Sequence, residues 1–144
     1  MVRDPYAWWW GRGEAVRPLP ISIMAIIIMN NPIQIESLKG EELNAVSFVM
    51  DYVEFHFNGP VIRALTNPKI ETETKQYQFP KQGSRDALCS FIGKAIQSVI
   101  IEEGVSLTLV FLKNERILIP LDDDSYIGPE AMHWCPQDSP MQVW

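Results

Sequence analysis

Apolar and polar residues alternate with a period of two through two stretches of the chain, and each stretch reads as a half-buried β-strand. Successive side chains of a strand point to opposite faces, so this period puts one face in a core. Val53, Phe55 and Phe57 alternate with Glu54, His56 and Asn58, and Leu107, Leu109 and Phe111 repeat the pattern later. A shorter apolar strand precedes each, over residues 43–48 and 95–101, joined through Met50-Asp51 or Glu102-Glu103-Gly104. Return strands over 61–65 and 116–121 follow the turns Asn58-Gly59-Pro60 and Lys113-Asn114-Glu115. Pro60 has no amide hydrogen to close a two-residue turn, so a wider loop is expected there.

The two stretches resemble each other. Gly40, Leu43 and Val46 align with Gly93, Ile96 and Val99 at one constant offset, and the later strands align after single-residue insertions in the turns. Insertions are tolerated in turns. The alignment suggests two similar halves, about 38–68 and 91–121; shared hairpin geometry is the plainer explanation. Between them, 70–79 reads as an exposed ribbon, and GSRDALCSFIG as one short helix. Ser84 is expected to cap that helix, Gly93 to end it, and Leu88, Phe91 and Ile92 to face the sheet. The tail after 121 is turn-rich, with a short strand over 141–144. The expected fold is α+β and mainly β, with at least six strands. They would form an antiparallel sheet, small sandwich or open barrel, with one or two short helices.

The first thirty residues differ from the rest. Trp8, Trp9 and Trp10 lie among Pro5, Gly11 and Gly13 without a period, and the apolar run from Ile21 to Met29 is too short to span a bilayer. A signal peptide fits poorly, because Asp4 and Glu14 stand in the leader and no small-residue cleavage site follows. Residues 1–30 are read as an N-terminal extension, or the result of an upstream start, preceding a single domain over 31–144. The three tryptophans are candidate interface residues if exposed.

Composition narrows the function classes. A chain of 144 residues with 47% hydrophobic and 21% charged residues is ordinary for one globular domain. The net charge is −6 and its 12 Lys+Arg are scattered, which argues against a phosphate-neutralising surface and so against nucleic acid. Two cysteines, Cys89 and Cys135, read as reduced thiols of a cytoplasmic protein. No phosphate loop occurs. Asp122–Asp124 with Glu130 lack the calcium-loop spacing, and His133 with Cys135 make half a zinc site, so no metal or other cofactor is expected.

The segment FIGKAIQSVIIEEGVSLTLVFLKNERILIPLDDDSYIGPEAMHW, with SFVMDYVEFHFNGPVIRALTNP before it, resembles small bacterial proteins, cyanobacterial ones among them, known as domains of unknown function. The resemblance covers about 35–144 and implies a β-rich fold, with no catalytic residues to carry over.

Strand parity yields one candidate ligand site. His56 and Glu54 share the polar face of their strand, and an even pairing places Arg63 beside them, with Asn67 nearby. The first reading of function is a non-enzymatic module that binds another protein or itself, through a sheet edge or the Trp-bearing segment. Immunity proteins are an analogy of fold level. The alternative is a small-ligand or anion-binding protein, or an enzyme, using the His56/Arg63 face.

Overall fold

A computed structural model describes residues 31–144. Among these residues ten strands form two five-stranded antiparallel sheets, with one short α-helix and no closed barrel. The first sheet begins with a meander of β1 (Ala45–Val49), β2 (Tyr52–His56) and β3 (Val61–Ala64). The hairpin β4 (Lys69–Glu71) and β5 (Gln76–Gln78) then crosses to the second sheet. Helix α1 (Ser84–Cys89) leads into a second meander, β6 (Ser98–Glu102), β7 (Ser106–Val110) and β8 (Arg116–Pro120). Finally β9 (Met132–Cys135) and β10 (Gln142–Val143) return to the first sheet. The orders are β1-β2-β3-β9-β10 and β5-β4-β8-β7-β6. Each sheet is therefore a meander extended by the hairpin that follows the other meander.

The sheets enclose one hydrophobic core. The alternating residues point inward as the period requires: Val53, Phe55, Ile62, Ala64, Met132 and Trp134 from one sheet, Ile70, Leu107, Leu109, Ile117 and Ile119 from the other. Phe91, just after α1, packs edge-on against Phe111. The Thr66 hydroxyl donates to the Pro120 carbonyl at 2.6 Å, tying the end of the first meander to the end of the second. The registers correspond across the sheets. One inward row runs Val46–Phe55–Ile62–Trp134–Gln142, and its counterpart runs Val99–Leu109–Ile117–Ile70–Tyr77. Hairpins of one shape produce matching registers whatever their origin.

The segments ahead of the meanders pair reciprocally. Gly40 N–H donates to Ile96 and Gly93 N–H to Leu43, while Leu43 N–H donates to Lys94 and Ile96 N–H to Glu41, all within 2.7–3.0 Å. Glu42 and Ala95 form the central bridge. Gly40 and Gly93 carry φ of +91° and +89°, which side-chain-bearing residues rarely adopt. Gly40→Ala and Gly93→Ala are each expected to lose about 1–2 kcal/mol in chemical denaturation. Gly128→Ala should stay within about 0.5 kcal/mol, because a Cβ there meets no atom within 4 Å and no left-handed φ is involved.

This pairing explains where the observed strands depart from expectation. Leu43 and Ile96 engage their backbone groups with each other's segment, so the first strand of each meander begins two or three residues later than the apolar run suggests. Ser84 is not the helix cap. Gly83 occupies that position at φ 86°, and the buried Ser84 hydroxyl donates to the Lys81 carbonyl. The helix ends at Cys89, ahead of Gly93, and Ile92 is 43% exposed while Leu88 and Phe91 are buried. Among the described residues, no helix is long and apolar enough to cross a membrane.

Candidate functional site

The outer face of the first sheet carries a row of polar side chains that the fold itself does not require. Register places Ser47, Glu54, Arg63 and His133 directly beside one another across β1, β2, β3 and β9, with Val143 ending the row on β10. The equivalent outer row of the second sheet is Ile100–Thr108–Leu118–Lys69–Gln78. A sheet of the same construction therefore forms without a Glu–Arg–His run.

The row is joined by hydrogen bonds. Arg63 Nε donates to Glu54 Oε1 at 2.9 Å, and Arg63 Nη1 donates to His133 Nδ1 at 3.2 Å. His133 Nε2 bonds the Glu130 carboxylate. His56 Nε2 lies 3.2 Å from Glu54 Oε2 and 3.3 Å from Ser47 Oγ. The guanidinium also sits 5.6 Å over the Tyr52 ring, a cation–π contact whose cross-strand neighbour is Val49. The bond to Glu54, partly opposed by burial and assisted by the charges of Glu54, Cys135 and Tyr52, raises the Arg63 pKa above its ordinary value. Glu54 and His133 are mostly covered, and Arg63 and His56 are about one-third exposed.

Three of the four expected ligand residues, His56, Arg63 and Glu54, thus come together. Asn67 does not join them: its backbone carbonyl accepts from Gln78 Nε2, and among the described residues no side-chain bond links it to the row. Trp8, Trp9 and Trp10 lie outside the described residues. Residue parity missed two members, His133 and Glu130. The signal for His133 was the alternation His133–Trp134–Cys135, which turns the tryptophan inward and the histidine outward. What the sequence did not disclose is that this strand lies beside Arg63, which the fold achieves across 70 residues.

The geometry limits the chemistry. Ser47 and Glu54 address the same nitrogen of His56, whereas a catalytic triad places hydroxyl and carboxylate on opposite ring nitrogens. Flipping the imidazole would put the ring carbon Cε1 where Nε2 stands and give neither partner a nitrogen, so the three residues form no hydrolytic triad. Two of the three guanidinium nitrogens of Arg63 already donate to protein acceptors, which leaves it poorly placed to grip an anion in a bidentate fork. Among the described residues, clefts are lined by Lys69 with Tyr77 and Lys81, by Thr72 with Lys75 and Asn114, and by Lys94 with Leu112 and Glu115, and these three include no residue of the row. Among the described residues no group of three or more His, Cys, Asp or Glu is arranged to hold a metal ion.

The row ends at the β1 edge of its sheet. Among the described residues β1 pairs only with β2, and its sequence, AVSFV, contains no charge and no proline. Edge strands are usually protected by one or the other. Phe48 and Val49 are 36% and 37% exposed, and Met50 beyond them is 97% exposed. Phe48 stacks on Phe79 with the Arg85 guanidinium over both rings, which fixes the strand's core side. The other edges differ: β10 has two residues, β5 is the polar QYQ, and β6 carries Glu102.

No family model matches the sequence, and neither a curated protein nor a solved structure is similar to it.

Proposed function

We propose that this domain is a non-enzymatic self-associating module and that two copies meet along β1. The observation that carries the reading is the uncharged, proline-free edge with Phe48, Val49 and Met50 exposed. A two-fold antiparallel pairing centred on Ser47 sets Ser47 against its own counterpart and Val49 against Ala45. No like charges are opposed in that arrangement, and the backbone groups of both edges gain partners. The polar row lends further support, because it stops at Ser47. In the pair it would continue from one protomer into the other without a break on the outer face.

Sedimentation equilibrium on the full chain tests the proposal. The expected result is a reversible monomer–dimer equilibrium between micromolar and millimolar protein. A single monomeric species over that whole range would overturn it.

A further inference from the structure

We infer that His133 is a proton-operated latch that holds Arg63 against the sheet only while its imidazole is neutral. Arginine can donate hydrogen bonds but never accept them, so the ring nitrogen facing Arg63 Nη1 at 3.2 Å, Nδ1, must present a lone pair. The proton of the neutral ring then sits on Nε2 and points to Glu130. This fixes the tautomer from both sides.

Protonation at Nδ1 reverses the contact. An N–H would face the N–H of the guanidinium, two cations at hydrogen-bond distance, and His133 is only 13% exposed, so water screens them little. Arg63 would keep Glu54 as its remaining acceptor among the described side chains. Protonated His56, 3.2 Å from the other oxygen of the same carboxylate, competes for it. Both changes loosen Arg63, which a shared Glu54 carboxylate and the cation–π contact with Tyr52 then retain.

The groups facing the latch are few. β3 supplies Arg63, β2 supplies Tyr52, Glu54 and His56, and β9 adds Cys135. Glu130 approaches from beyond β9, and β10 contributes the uncharged Val143. With both imidazoles neutral, one guanidinium faces two carboxylates in the row, a net single negative charge. With both protonated the balance is a net single positive charge. Acidification would thus release a cationic arm on a face that is slightly acidic at neutral pH.

The inference does not depend on self-association, and its test separates the two. In the full chain, the imidazole nitrogens of His133 and the Nε of Arg63 are followed by heteronuclear NMR at monomeric dilution from about pH 8 to about pH 5, the range in which imidazoles titrate. The expected result is the Nε2–H tautomer of His133 at the alkaline end. The Arg63 Nε order parameter should then fall with the same midpoint as the His133 titration. In His133→Gln, whose amide oxygen can accept from Arg63 without titrating, that fall should shrink to the part that follows His56. An Nδ1–H tautomer at the alkaline end, or an Arg63 signal that stays rigid through the His133 titration, would overturn the proposal from the wild-type protein alone.

Discussion

Trp134→Ala is expected to lose about 3–5 kcal/mol of folding stability, the range for truncating a large aromatic residue at a closed core site. Trp134 is 1% exposed and heads the inward row of β9, beside Ile62. Through that row it joins the second meander's returning hairpin to the first sheet. A void there affects both the shared core and the attachment of β9 and β10. The indole N–H adds little to this sum. It is buried without a hydrogen-bond partner among the described residues, as is the side-chain oxygen of its cross-strand neighbour Gln142. Trp134→Phe, which deletes that donor and keeps much of the apolar volume, should therefore cost clearly less than the alanine variant. Urea denaturation followed by far-UV circular dichroism checks both, with the exposed Leu112→Ala as a control expected within about 0.5 kcal/mol.

Ser47→Lys is expected to weaken self-association at least tenfold, about 1.4 kcal/mol, while leaving the fold intact. In the pairing proposed for β1 the substituted side chain faces its own copy, and like charges directly opposite on neighbouring strands repel. Lysine is also the residue with which natural edges are commonly guarded. Position 47 is partly exposed and outside the core, so the monomer should tolerate the change. Ile100→Lys, at the corresponding place on β6, supplies the control. It should leave the dissociation constant by sedimentation unchanged, because that edge takes no part in the pairing.

What could be read from the sequence was whatever depends on neighbouring residues. The alternation at Val53–Phe57 and Leu107–Phe111 has one physical cause, burial of one strand face, and it yielded both meanders and the cross-strand partnership of Glu54 with Arg63. The same parity placed His56 on the outer face with them. What escaped depends on distant pairing. Nothing local announces that the β4–β5 hairpin joins β8 or that β9 joins β3, yet those crossings bring His133 to Arg63. The segment holding β9 reads as a run of turns, since Gly128, Pro129 and Pro136 flank a strand of only four residues. Smaller errors came from competing hydrogen bonds. Ser84 had the chemistry of a helix cap, but its hydroxyl bonds the Lys81 carbonyl. Asn67 followed the right strand but lies past its end, where the chain leaves for the other sheet.

The polar row acquires meaning from its counterpart. Ile100, Thr108, Leu118, Lys69 and Gln78 occupy the same register positions on the second sheet, so neither folding nor the meander explains a Glu–Arg–His run on the first. The row terminates at Ser47, in the middle of the one long edge among the described residues with neither charge nor proline. Association through β1 and regulation through His133 would then act on a single continuous surface.

The most direct measurement is cross-linking at that edge. Ser47→Cys and Ile100→Cys, each combined with Cys89→Ser and Cys135→Ser, are treated with a short bis-maleimide at concentrations where the protein associates. Directly opposed residues of paired strands have Cβ atoms about 4.5–5.5 Å apart, within reach of such a reagent. Rapid, near-complete covalent dimer from Ser47→Cys, with little from Ile100→Cys, is the predicted result. Equal yields from the two positions, or no dimer from Ser47→Cys, would contradict the pairing of two copies along β1.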